Sequence, residues 1–392
     1  MKRIVAISLL LAFSIATQAQ TKFFEGTYKE AFAEAQKQNK YLFIDCYTDW
    51  CGWCKVADKK TFPAQVVADV LNQNFISVQV DMERGTGVAL GMKYRVMGYP
   101  AYLMFTPDGN LAHSMSGYME NPADFATEVK KALDESNRSA YPSKLTNAVS
   151  FPKFYEASFT NKDSEQKRKN PKKEEVTAWL KNQKDLTSEA AWSVIYKFPL
   201  DEEFTQKFLD TRADYAELYG QGEVDGKVSG LAQQKLRTAM KSKDEADLKL
   251  ALDFVDAYTE GDKESNKLYY RLKFCEGKED WKEYVNCAQG LIDLHGLTAN
   301  LGSVNGYGWT LYLNTDDKEL LNTAINWMDE VVKADPNYAF LDTYAALLYK
   351  NGRYKEANDW ATKAINTGKQ NGENVEETEA LRNKIIAAQE GG

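Results

Sequence analysis

Two thiols three residues apart, Cys51 and Cys54, lie in the run Trp50-Cys51-Gly52-Trp53-Cys54-Lys55, directly behind an apolar stretch from Tyr41 to Tyr47. Cysteines at that spacing can close into a small disulfide and reopen, which is the chemistry of thiol–disulfide exchange. The attacking species is the thiolate, and a free cysteine, with a pKa of about 8.5, is mostly protonated at neutral pH. A helix N-terminus offers unpaired N–H groups and the positive end of the peptide dipole, both of which favour the thiolate. A strand over 41–47 followed by a helix opening at the hexapeptide puts Cys51 at that terminus and Cys54 one turn further in. The roles follow: Cys51 attacks a substrate disulfide, and Cys54 then attacks the Cys51 sulfur and releases the substrate. Run in reverse, the same steps oxidise a dithiol. Trp50 and Trp53 flank the pair and are expected to form an apolar platform for substrate, with ordinary core packing as the alternative.

A purely structural disulfide would close very little loop and stabilise little. A zinc site would need four ligands, and only Cys46, His113 and His295 remain as distant candidates. Cys46 neighbours Asp45 on the predicted strand, so its side chain points to the opposite face, and a small buried hydrophobe is the expected role. Cys275 and Cys287 flank a predicted helical turn. A bond between antiparallel helices is open to them, although a turn near Glu276–Lys278 would leave them out of register.

The elements around the thiols alternate. Thr27-Tyr28-Lys29-Glu30 has the form of a capping box, with Ala31, Phe32 and Ala35 on an apolar face behind it. Val66 to Phe75 reads as helix, Ile76 to Val80 as a buried strand and 85–95 as helix. Gly98-Tyr99-Pro100 breaks the chain. Ala101–Thr106 and Leu111–Ser116 then read as two strands across a Pro107-Asp108-Gly109-Asn110 turn. A helix from about Pro122 to Leu133 closes the unit. The order predicts an α/β domain, a central mixed sheet flanked by helices.

The run Asp45-Cys46-Tyr47-Thr48-Asp49-Trp50-Cys51-Gly52-Trp53-Cys54-Lys55, then Gly98-Tyr99-Pro100, the hairpin and Gly117, resembles the thioredoxin superfamily over about 21–138. The resemblance implies a cis Pro100 packed against the cysteine pair, with Tyr99 offering backbone bonds to an extended substrate. It implies that Asp45 is the buried carboxylate that moves a proton to or from Cys54. It departs from thioredoxin itself at the Gly52-Trp53 dipeptide, which bears on redox poise. Thioredoxin also pairs a lysine with the buried acid, and alignment places Ser77 there. The form of the motif and the Thr61-Phe62 stretch are similar to exported, disulfide-handling relatives.

Beyond about 139 strand patterns vanish, and residues 160–175 are polar and contain Pro171. Further on, Leu321, Ala324, Ile325, Met328 and Val332 share one helical face, as do Leu341, Tyr344, Ala345 and Leu348, and then Ala357, Trp360, Ala361 and Ala364. Gly352-Arg353-Tyr354-Lys355-Glu356-Ala357 with Ala364, and the earlier Ala324 with Pro336, resemble tetratricopeptide repeats, with a weaker hairpin of the same kind at 263–292. The expected division is a signal peptide at 1–19, a thioredoxin-like domain at 20–138, a connecting segment at 139–175 and an all-α, solenoid-like region at 176–392.

The 392-residue chain is long enough for two domains and, at 43% hydrophobic, can fill their cores. Its net charge of −8 disfavours nucleic acid, and the basic run at 167–173 is followed at once by Glu174 and Glu175. Lys2 and Arg3, the apolar Ile4–Ile15 and the small-residue site Thr17-Gln18-Ala19 read as an export signal, which predicts a periplasmic or secreted protein without a membrane span. The expected activity is thiol–disulfide oxidoreduction on client proteins, needing no cofactor beyond the Cys51–Cys54 disulfide. A redox partner would reset the pair, and the helical region could take a protein or peptide ligand. The rival expectation is a binding scaffold whose helical region is the main functional part.

Overall fold

A computed structural model describes residues 20–137, 141–160 and 170–390. The predicted export signal lies outside them, as does part of the predicted connecting segment. The chain divides into two compact units, ending at Val224 and beginning at Asp225.

In the first unit, helix α1 (Tyr28–Gln38) starts at the capping box: Thr27 accepts from the Glu30 N–H, and the Glu30 carboxylate accepts from the Thr27 N–H. Strand β1 (Tyr41–Tyr47) follows, then α2 (Gly52–Lys60), α3 (Gln65–Asn74), β2 (Phe75–Asp81) and α4 (Gly85–Lys93). The hairpin strands β3 (Ala101–Phe105) and β4 (Leu111–Ser116) precede α5 (Pro122–Lys130), which a short 3₁₀ turn extends to Leu133. The sheet order is β2-β1-β3-β4. β1 runs parallel to β2 and antiparallel to β3, and β3 and β4 are antiparallel.

Alternation along β1 sorts its side chains. Phe43 faces a core built with Ala57 of α2, Val67 and Leu71 of α3, Tyr102 and Met104 of β3, and Phe125 and Val129 of α5. Leu42, Ile44 and Cys46 face the other side and are fully buried. On that side Tyr94, just past α4, packs its ring on Phe105. β1 is therefore covered on both faces and paired on both edges, which explains its near-continuous apolar reading.

The unit continues well beyond 138. Helices α6 (Lys153–Thr160), α7 (Lys173–Lys181), α8 (Glu189–Lys197), α9 (Glu202–Asp210) and α10 (Arg212–Tyr219) follow, and α11 (Gln221–Ser242) carries the chain across the division. The described parts of the expected connecting segment are packed. Tyr141, Leu145, Tyr155 and Phe159 are buried. The Tyr155 hydroxyl donates to the Met92 carbonyl at 2.8 Å, and Phe154 packs against Trp179 and Phe198. The reading as linker followed its polar composition; the aromatic residues set among the lysines and prolines decide the packing.

The second unit is helical throughout its described residues. It comprises the rest of α11, α12 (Glu245–Tyr258), α13 (Lys263–Lys278), α14 (Trp281–His295), α15 (Leu301–Asn314), α16 (Lys318–Ala334), α17 (Tyr338–Lys350), α18 (Tyr354–Asn371) and α19 (Glu376–Glu390). From α12 to α19 successive helices pack on their neighbours. The core holds the predicted faces of α16, α17 and α18, including Leu321, Met328, Leu341 and Ala361, and Tyr344 packs edge-on against Trp360. This is the expected stack of helical hairpins. Among the described residues no helix is long and apolar enough to cross a membrane.

The same substitution has opposite consequences at two helical glycines. A β-carbon on Gly87 would lie 2.0 Å from the Asp81 carbonyl oxygen at the end of β2, whereas one on Gly230 of α11 would meet nothing within 4 Å. Gly87→Ala should destabilise the first unit by about 2 kcal/mol through forced backbone displacement. Gly230→Ala should stabilise the second by about 0.5–1 kcal/mol through helix propensity. Urea unfolding of the two variants checks both signs.

Candidate functional site

β1 ends at Tyr47, and a tight turn follows in which the Cys51 N–H donates to the Thr48 carbonyl at 3.0 Å. Cys51 is the N-cap of α2 in extended conformation, and its sulfur accepts from the Cys54 N–H at 3.0 Å. Cys51 and Cys54 form a disulfide with Cα atoms 5.3 Å apart. On reduction the same N–H and the helix terminus stabilise negative charge on Cys51. Cys54 lies inside the first turn, on the buried stripe with Ala57. Both cysteines are only 4% exposed, so position on the helix, rather than exposure, distinguishes them.

Asp45 lies on the same face of β1 as Phe43 and is buried. Its register partner on β2 is Gln79, whose Nε2 donates to Asp45 Oδ2 at 2.9 Å and to Asp58 Oδ1 of α2 at 3.0 Å. Ser77, where alignment had placed the pairing residue, instead faces Phe43. Asp45 therefore has an amide partner, and Oδ1 has no hydrogen-bond partner among the described residues. Burial pushes the carboxyl up to about 7; the Gln79 bond opposes the shift and the Asp58 charge adds to it. Asp58 is i+4 from Cys54, so α2 presents Cys54, Ala57 and Asp58 along one stripe over β1 and β2.

The Tyr99–Pro100 peptide is cis. Pro100 enters β3, and its carbonyl accepts from the Gly117 N–H at 2.8 Å. The flanking tryptophans are 63% and 60% exposed, against the core alternative. Trp50 packs edge-on to Tyr99 at 5.8 Å, and its indole N–H donates to Glu83 at 3.0 Å. Trp53 stacks on Tyr118 at 5.2 Å. Trp50 and Trp53 thus adjoin the cysteines in the chain, and Tyr99, which precedes the cis Pro100, packs against Trp50. Sequence reading missed Gln79, Asp58, Glu83 and Tyr118. Of these, only Gln79 could have been found, by pairing β1 and β2 in their actual register.

The remaining cysteines stand apart. Cys46 is free and fully buried on the opposite face, and burial, with the neighbouring Asp45, pushes its thiol well up. Cys275 of α13 and Cys287 of α14 are free and buried, and interaction between the two pushes the Cys275 thiol up and the Cys287 thiol down. His113 pairs with Glu128 and His295 with Ser265.

Residues 24–107 match the family described as thioredoxin-like. The chain is 32% identical over 110 residues to the thiol:disulfide interchange protein DsbD of Pseudoalteromonas atlantica, covering 27% of this chain and 18% of that protein. It is 34% identical over 105 residues to its namesake in Cronobacter sakazakii, covering 26% and 18%. The chain thus spans less than a fifth of the length of these relatives. A protein from Bacteroides thetaiotaomicron with a solution structure is 35% identical, covering 31% of this chain and 98% of that one, with a TM-score of 0.28. Residues 24–107 of this chain belong to the thioredoxin-like family.

Proposed function

We propose that the protein is an exported thiol–disulfide oxidoreductase acting on client proteins. The observation that carries this reading is the Cys51–Cys54 disulfide at the N-terminus of α2, a helix packed over the strand that holds the buried Asp45. In the reductive direction the Cys51 thiolate attacks a client disulfide. One new S–S bond forms, the client bond breaks and a client thiolate leaves, taking a proton from solvent. Asp45 then accepts the Cys54 proton, the Cys54 thiolate attacks Cys51 Sγ, and the second client thiol departs. The protein is left oxidised, and a dithiol partner protein returns two electrons and two protons to reset it. Trp50, Trp53, Tyr99 and Pro100 hold the client beside the sulfur. Export rests on the order of charge, apolar core and small residues in 1–19.

The second unit is proposed to recruit the client. A groove of 470 Å³ between α11, α12 and α13, lined by Tyr258, Tyr269 and Tyr270 and by both signs of charge (Arg237 and Lys273, Asp225 and Glu260), supports a polypeptide ligand.

Cys51→Ser should abolish dithiol-dependent insulin reduction, and Cys54→Ser should accumulate mixed disulfides with clients that gel shift and mass spectrometry reveal. Equal activity of wild type and Cys51→Ser would overturn the enzyme reading.

Asp45 gives a pH signature with two opposite signs. Resolution of the mixed disulfide needs the ionised carboxylate, so its rate should rise as pH passes about 7. Asp45→Asn should slow it by about tenfold or more and flatten that rise. Stability should run the other way. The folded pKa is raised from 3.8, so the fold favours the protonated acid; that stabilisation is complete below the usual value and is lost as pH climbs to about 7. The loss is on the order of 4 kcal/mol and should be absent in Asp45→Asn. Stopped-flow trapping and urea unfolding across pH 4–8 measure the two effects.

A further inference from the structure

Arg95 stands five positions before the cis proline and outside every residue assigned above. Its backbone is left-handed, at φ 53°, and its side chain is 1% exposed. Nε donates to Glu223 Oε2 at 3.0 Å, Nη2 donates to the same oxygen, and Nη1 donates to the Tyr141 hydroxyl at 3.2 Å. The guanidinium carbon lies 5.5 Å from the ring centre of Tyr141, 6.0 Å from Trp192, 5.8 Å from Tyr196 and 5.4 Å from Tyr219. The partners are themselves held. The Trp192 indole N–H donates to Glu223 at 3.2 Å. The Tyr141 hydroxyl lies 2.9 Å from both the Lys93 carbonyl and Glu189 Oε1, where its proton can serve either.

Residues Tyr141, Glu189, Trp192, Tyr196, Tyr219 and Glu223 all come from the segment after the thioredoxin-like match, and Arg95 comes from within it. Burying the Arg95 guanidinium is a poor source of net stability even with the partly exposed Glu223 as partner, because the charge gives up its hydration to form the pair. What it supplies is a fixed geometry, since five donors and four ring faces admit one placement of the guanidinium. The chain beyond it is Val96, buried, with its N–H on the Gly91 carbonyl at 2.9 Å, then Met97, 46% exposed, Gly98, Tyr99 against Trp50, and Pro100 in the sheet. The loop beside the disulfide is thus pinned by the sheet at one end and by Arg95 at the other.

We propose that the Arg95–Glu223 pair, in its cage from the 141–223 segment, is a positioning device for the Val96–Pro100 loop and thereby sets client affinity. The proposal rests on the reading of the cysteine pair as a thiol–disulfide oxidoreductase. Arg95 and Glu223 touch neither the cysteines nor Asp45, so the chemistry of the sulfurs is left alone.

The test uses the full chain with Glu223→Gln, which keeps shape and removes charge, and Tyr141→Phe, which removes one hydroxyl. Three quantities are read: KM and kcat for a disulfide-bonded peptide, the equilibrium of Cys51/Cys54 with glutathione, and amide exchange at Met97, Gly98 and Tyr99 against that of β1. KM should rise about tenfold in Glu223→Gln, as misplacement of a positioning element does, with kcat and the glutathione equilibrium unchanged. Exchange should quicken at Met97–Tyr99 and stay slow in β1. Unchanged KM with unchanged loop exchange overturns the proposal, and so does exchange that quickens equally in β1, which marks a general loss of stability. Tyr141→Phe carries the same readouts if Glu223→Gln does not fold. A wild-type protein that reduces no peptide refutes the oxidoreductase reading instead, and the exchange comparison still decides whether the pair holds the loop.

Discussion

The first unit is organised around one carboxylate in a place where water cannot reach it. Asp45 lies on β1, which has a strand on either edge and a helical layer on either face. Burying an acid there is costly unless it is protonated or paired. A lysine partner would hold it ionised. Gln79 donates one neutral hydrogen bond and offers no charge, and Asp58 beyond it adds a second negative one. The ionisation is therefore displaced to about 7, where a group can both take and return a proton. Phe43, Phe62 and Tyr102, packed ring to ring, keep this face dry, and α2 covers it with Cys54, Ala57 and Asp58. The helix that carries the cysteines is thus also part of the lid over the acid.

The sequence disclosed what local pattern controls. The capping box at Thr27, the strand at 41–47, the hairpin around Gly109 and the N-cap position of Cys51 each follow from residues close in the chain, and each is present in the structure. The cis Pro100 came from family resemblance and not from composition. Gln79 was legible only through the correct strand register, and the reason it was missed is geometric. A one-residue slip between β1 and β2 would turn every side chain to the wrong face and betray itself; a two-residue slip, from Gln79 to Ser77, preserves the alternation. Glu83 and Tyr118 reach the tryptophans from distant parts of the chain, where periodicity carries no information.

The two helical parts differ in the same respect. In the second unit helix starts are set by adjacent residues: Asp262, Asp280, Asn300, Asp317 and Asn337 each cap the helix they precede. Apolar faces then recur with helical period, so a stack of hairpins is readable from one copy to the next. The segment from 141 to 223 has no such repeat. Its core is an aromatic cluster in which Trp192 packs on Phe208, Tyr215 and Tyr219, and its polar centre is an arginine from α4's far side of the sequence. The arginine's bonds to Tyr141 and Glu223 span 46 and 128 residues, so a reading by composition took the segment's beginning for a connector.

The exposed aromatics complete the physical picture. Tryptophans left in water at the mouth of a site would ordinarily be a liability, and free rotation would make them poor anchors. Here Trp53 is stacked on Tyr118, and Trp50 is fixed by Tyr99 and by its bond to Glu83. Their rotamers are largely settled by these contacts, so the proposed client would gain apolar contact without losing that entropy a second time. Tyr99 belongs to the loop anchored through Arg95, which means that Trp50 inherits its position in part from a guanidinium buried among rings of the 141–223 segment. The rim of the disulfide is therefore held from two directions, by α2 and its cysteines on one side and by the helical extension on the other. The family match spans the cysteine pair, while the residues that steady the surface around it include several outside that match.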